Sequence, residues 1–169
     1  VSDSPETSQT AEAVLEKVRA KFANAIRSES ADRDEAVIVV EPDQWMALAK
    51  WLASDGGFGF LSDLCAVDWP GRDDRFEVVY NLTDIDEPAR LRVKLPVTGD
   101  DPKVPSVTSI WATANWHERE AYDMFGIVFD GHPDLRRILM PDEWEGHPLR
   151  KDYAMGKVPV EYKSLSPGF

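Results

Sequence analysis

The sequence predicts an α+β fold: helices layered on a mostly antiparallel mixed sheet, followed by a long extended C-terminal arm. Three observations predict it. Apolar residues recur at helical spacing near the N-terminus and around Trp45 to Leu52, and capping signals mark a further helix from Trp116 to Phe125. Two successive segments, Phe76 to Leu82 and Leu91 to Val97, alternate apolar and polar residues as half-buried strands do, which reads as an antiparallel meander. Beyond Gly126 neither period persists.

Val1 to Thr10 is polar and acidic and reads as a solvated tail, without the basic start or apolar stretch of a signal peptide. The missing initiator methionine reads as a processed or trimmed end. From Ala11 to about Ser28, the residues Val14, Leu15, Val18, Phe22, Ala25 and Ile26 form one helical stripe. Glu29 to Glu35 reads as a charged connection, and Ala36 to Val40 as a short β-branched strand. Glu41-Pro42-Asp43 opens a second helix, because proline lacks an N–H that the first turn leaves unused. Trp45, Leu48, Ala49 and Leu52 face its core side until Gly56-Gly57. Phe58 to Trp69 reads as a strand, Pro70 to Asp74 and Thr83 to Pro88 as turns, and Thr98 to Pro105 as a loop. Ser106 is placed to cap a short helix reaching about Ala112. Asn115 is placed to cap the helix Trp116 to Phe125, with Glu118 in the position of a capping-box acid. Residues 127–169 hold Gly131-His132-Pro133, Pro141, Gly146-His147-Pro148, Pro159 and Pro167, so they read as an arm ordered by specific contacts. The organisation is a tail (1–10), an α+β domain (11–126) and an arm (127–169). In the last part of that arm Val158, Val160, Tyr162 and Leu165 are too sparse for a core, and their order is expected to come from a partner.

The 169 residues include 31 acidic and 19 basic side chains, a net charge of −12, and the pI is near 4.6. Such acidity disfavours sequence-independent binding to nucleic acid and to anionic lipid. No stretch reaches the roughly 18 apolar residues of a spanning helix, so a cytoplasmic protein is expected, meeting a membrane only through something else. The single cysteine, Cys65, excludes an internal disulfide and any multi-cysteine zinc or iron–sulfur site built by this chain alone. In its apolar setting it reads as a small buried hydrophobe. Gly56-Gly57-Phe58-Gly59 follows a helix rather than a strand, the wrong order for a phosphate or dinucleotide loop. His117, His132 and His147 lack metal-ligand spacing and read as structural hydrogen-bonding residues.

Chemistry is dense only in residues 116–153. Glu118, Arg119, Glu120 and Asp123 crowd about one and a half helical turns, and Trp116, Tyr122, Met124 and Phe125 interleave with them. Arg119 and Asp123 are four apart and in reach of each other. Some of these carboxylates are therefore expected to be buried against arginines, with Arg136, Arg137, Arg150 and Lys151 as partners within the chain or on a neighbour. Polar, arginine-rich and aromatic composition is that of a protein interface. A different reading of the same residues is a free-standing enzyme using the carboxylates and histidines between His117 and His147.

The segment resembles a known family: the thirty-kilodalton (30 kDa) subunit of the proton-pumping NADH–quinone oxidoreductase, respiratory complex I. The family signature runs here as Glu118-Arg119-Glu120, Asp123, Met124-Phe125, His132, Arg136 and Ile138-Leu139. A second block is Gly146-His147-Pro148-Leu149-Arg150-Lys151-Asp152-Tyr153. With Trp116, Gly126, Pro133, Arg137 and Trp144, these residues make up the expected subunit interface. The resemblance implies a scaffold that holds no flavin, iron–sulfur cluster or nicotinamide. FMN, the clusters, NADH and quinone would sit on other subunits, and no catalytic, cofactor-binding or metal residue is expected here. It also implies docking on the large hydrogenase-like subunit, beside the small cluster-bearing subunit, on the cytoplasmic face of the inner membrane and near the quinone site. The chain ends at Phe169, which resembles the form not fused to its large neighbour. Photosynthetic NDH-1, F420H2 dehydrogenase and membrane-bound hydrogenases have similar subunits, and His147 favours the respiratory version over NDH-1.

Overall fold

Alternation along the strands becomes one covered face of a five-stranded sheet. Ala36, Leu91, Leu82 and Leu61 stand in one cross-strand row, and Ile38, Val93, Tyr80 and Leu64 in the next. All eight are buried, and each fully buried large aliphatic side chain contributes about 1.5–3 kcal/mol as an upper estimate. The opposite face carries charge paired across the strands, with Arg92 at 2.6 Å from Glu35 and Lys94 at 3.5 Å from Glu77.

The structure, a computed structural model, describes residues 5–154, with side chains from Ala11 onward. In chain order the elements are α1 (Pro5–Phe22), a 3-10 turn (Ala23–Ala25), β1 (Ile26–Asp32), β2 (Glu35–Val40), α2 (Trp45–Ser54), β3 (Phe60–Asp68), β4 (Phe76–Asp84), β5 (Ala89–Val97), β6 (Lys103–Pro105), α3 (Ala114–Phe125) and β7 (Val128–Asp130). The sheet order is β1-β2-β5-β4-β3, antiparallel except for the β2–β5 pair. The α+β class and the antiparallel pairing of β4 with β5 are as the sequence predicts, and β3 extends that pair to a meander. Helices line the apolar face. Trp45 of α2 packs at 4.4 Å on Tyr80 and 6.4 Å on Trp111, and Phe125 of α3 meets Phe76 edge-on at 6.5 Å.

Four local expectations are corrected. The first helix begins at Pro5 and stops at Phe22, so residues 5–10 of the expected tail are helical and the stretch to Ser28 is not. Ile26–Asp32 is instead β1, hairpin-paired to β2 through a turn in which Arg33 takes φ 56°. Six of its seven side chains are exposed, so hydrophobic periodicity carries no sign of it. Residues 106–112 form turns rather than a helix. Cys65 is exposed, because its neighbour Leu64 takes the covered face of β3 and a strand alternates.

The boundary at Gly126 also moves. β7 pairs in parallel with β6, and Ile127 and Phe129 are core residues, so the first part of the expected arm belongs to the body. Expectations for Val158, Val160, Tyr162 and Leu165 lie outside the described residues. Among those described, no helix is long and apolar enough to cross a membrane.

Candidate functional site

α3 lays Ala114, Ala121, Met124 and Phe125 into the core. Gly126, at φ 74°, ends it in the left-handed conformation, where its amide bonds the Tyr122 carbonyl at 2.8 Å. The chain then turns through β7, and residues 132–153 return along the outer side of α3. Arg119 and Asp123 of the helix hold that returning segment.

Asp123 is fully buried. Its Oδ2 accepts the amides of Ile138, Leu139 and Met140 at 3.0, 2.8 and 2.8 Å, and its Oδ1 accepts Arg137 Nη1 at 2.6 Å. Burial acts to raise its pKa, but the three amides and the guanidinium outweigh it and hold the carboxyl below its usual range. Arg137 continues to the Gly146 carbonyl at 3.0 Å. Arg119 does not pair with Asp123 across the helical turn. It donates to the carbonyls of Arg136 and Arg137 at 3.2 and 3.1 Å, with its guanidinium 5.1 Å from the Trp116 ring centre.

A second set of bonds satisfies the carbonyls that a helix leaves open at its C-terminus. His147 Nδ1 donates to the Asp123 carbonyl at 2.9 Å, the Leu149 amide to that of Met124 at 3.0 Å, and Arg150 Nε to that of Phe125 at 2.5 Å. Burial lowers the His147 pKa. Arg150 also lies 5.2 Å from the Phe76 ring centre. Beyond it, the Lys151 amide reaches buried Asp68 at 2.7 Å. Arg75 grips Asp68 with two bonds of 2.8 and 2.9 Å and then meets Asp152 at 2.9 Å. Tyr153 donates to the Glu145 carbonyl at 3.3 Å, and its ring lies against Gly146. His132 Nε2 donates to the Asn115 carbonyl at 3.1 Å, and its Nδ1 accepts the Asp134 amide at 3.0 Å.

Several roles differ from those the sequence predicts. Arg137, one of the four expected partners, holds the buried carboxylate; Arg136 is exposed and its side chain pairs with Asp134 at 2.9 Å. Arg150 binds a carbonyl rather than an acid, and Lys151 contributes its backbone amide to the latch. Glu118 is not a capping-box acid, since the helix begins after Thr113 without a side-chain cap. It is fully buried and accepts Ser106 Oγ at 2.7 Å and the Val107 amide at 2.8 Å, which fixes the preceding turn. Burial pushes its pKa up to about 7. Asp68 and Arg75 escape sequence reading, and Ser106 caps no helix but bonds Glu118, because tertiary packing rather than local spacing brings these partners together.

The outward residues are of another kind. Trp116 is 61% exposed, Leu139 56% and Leu149 51%, and Glu120 and Pro133 are also exposed. Pro148 and Trp144 are half-buried, the latter with its indole N–H shielded and without a partner among the described residues. Gly126 sits where the inner and outer sets meet. A Cβ there would fall 2.5 Å from His147 Nε2 and 2.7 Å from Arg150 Nη2. Gly126→Ala is expected to destabilise the chain by about 1–2 kcal/mol from backbone strain alone, with further loss from displacing both side chains. Thermal unfolding checks this; an unchanged midpoint contradicts it. Among the described residues no cluster of three His, Cys, Asp or Glu side chains is placed to hold a metal. A hollow of about 500 Å³ opens beside Arg27, Val39, Arg72 and Pro96, with no lining residue from α3.

Residues 38–159 match the family model described as respiratory-chain NADH dehydrogenase, 30 Kd subunit. The corresponding NADH-quinone oxidoreductase subunit of Roseiflexus sp. (strain RS-1) is 46% identical over 151 residues, which cover 88% of this chain and 87% of that protein. Its counterpart in Geotalea uraniireducens (strain Rf4) is 48% identical over 139 residues, covering 82% of this chain and 85% of its own. Among solved structures, a trypsin-resistant fragment (1-134) of Nqo5 is similar at TM-score 0.63 and 36% identity, covering 73% of this chain and 98% of its own. A chain of the membrane-bound sulfane sulfur reductase, an archaeal respiratory membrane complex, shares the fold at TM-score 0.73 and 22% identity, covering 94% of this chain and 98% of its own.

Proposed function

The chain belongs to the family of the 30 Kd subunit of the respiratory-chain NADH dehydrogenase, and from that premise we propose that it is a docking subunit with no catalytic centre of its own. It sits in the peripheral arm of NADH–quinone oxidoreductase, on the large hydrogenase-like subunit near the quinone site and beside the small cluster-bearing subunit. The complex holds it at the cytoplasmic face of the membrane. FMN, the iron–sulfur clusters, NADH and quinone are handled by those neighbours, whose geometry this chain steadies.

One observation carries the reading: Trp116 on α3 remains exposed, as do Leu139 and Leu149 on the segment whose backbone is tied down from Arg136 to Tyr153. Binding usually loses free energy by ordering loops and side chains at the interface. Here Asp123, Arg119 and Arg137 have already ordered the loop, so contact with a partner need only desolvate the apolar side chains. Large aromatic and apolar anchors on a rigid base are where binding energy concentrates.

The test replaces Trp116 and Leu139 together with serine in the source organism and follows the whole complex. Both side chains are exposed, so the isolated chain should unfold within about 0.5–1 kcal/mol of the wild type. Assembly and quinone reduction by membranes should fall by about tenfold or more, since each lost anchor is worth about 2 kcal/mol. Normal assembly with normal quinone reduction would overturn the proposal.

A further inference from the structure

The outer face of α3 and the segment that crosses it carries an apolar crest with an acidic rim. Trp116 and Glu120 are four residues apart and so neighbours on the helix surface. The crossing segment brings exposed Leu139 to the next turn of α3, where its amide is bonded to Asp123. Asp142, Glu143 and Glu145 follow Leu139 and precede Leu149, and all three are exposed.

The arginines of the region are already engaged, while the exposed Lys151 side chain makes no ion pair among the described residues. Arg119 binds two carbonyls, Arg137 binds Asp123 and Gly146, Arg150 binds Phe125, and Arg136 binds Asp134. Asp152 is matched by Arg75. Glu120, Asp142, Glu143 and Glu145 make no ion pair among the described residues. Four unpaired acids thus stand against one unpaired base, Lys151, in this region among the described residues.

We propose that this face docks on a polypeptide surface in which lysine or arginine side chains surround an apolar pocket. The inference rests on the docking reading above and adds the chemistry of the partner. An acidic or neutral partner would desolvate four carboxylates without return, whereas a basic rim steers encounter and fixes the register of the apolar anchors.

The experiment adds the purified full chain back to the complex prepared from a deletion strain that lacks it, and measures the association rate. For the wild type, raising salt from about 50 to 500 mM should slow association about tenfold or more, as screened opposite charges do. The double variant Glu120→Lys, Glu143→Lys should associate about tenfold more slowly. The same change of net charge on α1, Glu12→Lys with Glu16→Lys, should alter the rate less than about twofold. Wild-type chain that fails to add back at all would sink the docking reading and this inference with it. Wild-type chain that adds back at a rate indifferent to salt and to both double variants would leave docking standing and overturn the basic partner. Faster association of the Glu120, Glu143 variant would do the same, by showing an acidic one.

Discussion

Replacing Asp123 with alanine is expected to cost about 3–5 kcal/mol and to free residues 136–150 from α3 while the sheet stays folded. Its carboxylate is the common acceptor for Arg137 and for three consecutive amides. An amide buried without a partner costs about 1–3 kcal/mol, so three of them with a guanidinium would exceed the stability of the attachment itself. The segment escapes that penalty by leaving the helix for water. The loss is therefore capped by the free energy of attachment, and the core rows of β2 to β5 are untouched. Trypsin reads this directly, because Arg136 and Arg137 lie within the pinned stretch and become cleavable once it is released. Asp123→Asn should fall between the two, keeping an acceptor for the amides but turning an N–H toward Arg137. Wild-type resistance to trypsin in the alanine variant would refute the latch. The pH dependence has a definite sign. A folded pKa below the usual 3.8 means this contribution is fully present above that value and disappears as pH falls through the lower, folded one.

How much of this was legible depends on where each residue's partner lies. β4 and β5 are readable because one buried face stamps a period of two on the sequence, whereas β3, with its register shift after Leu61, shows mixed patterning. β1 is paired by its backbone and exposed on its sides, so no pattern marks it. The sequence places paired charge around α3 correctly but cannot choose between Arg136 and Arg137. That choice is made by the path of an aperiodic segment, which turns one side chain inward and its neighbour out. Glu118 shows the opposite failure. Asn115 and Glu118 have the spacing of a capping box, but a buried acid goes to whichever donors tertiary packing brings, here Ser106 and Val107 from before the helix. The family signature in residues 118–139 thus coincides with a latch whose inner half orders a loop and whose outer half presents Trp116 and Leu139.

Between pH 5 and 8 the dominant titration should be that of Glu118. Its carboxyl, pushed up from 4.5 to about 7 by burial, holds a proton in the folded chain that the unfolded chain has already released. Stability must then fall as pH rises through this window, by about 1.4 kcal/mol per unit and on the order of 3 kcal/mol in all. The sign is opposite to that of Asp123, and the ranges are separate, one above pH 4.5 and the other below 3.8. The difference has a structural cause. Asp123 has a guanidinium and three amides, whereas Glu118 has one amide and one hydroxyl to offset full burial. Glu118→Gln keeps both bonds, its carbonyl accepting Val107 N–H and its amide donating to Ser106 Oγ, and it removes the charge. The variant should match the wild type near pH 5, exceed it by about 2–3 kcal/mol near pH 8, and lose the fall between, leaving the opposite, rising contribution of His147, whose folded pKa burial lowers. Parallel profiles for the two chains would show that Glu118 ionises as an exposed acid does. Tyr80 gives an independent reading, because burial and then the charge on Glu118 both push its hydroxyl upward. Its ring resonances should therefore shift with an apparent midpoint near 7 in the wild type and stay fixed in the glutamine variant.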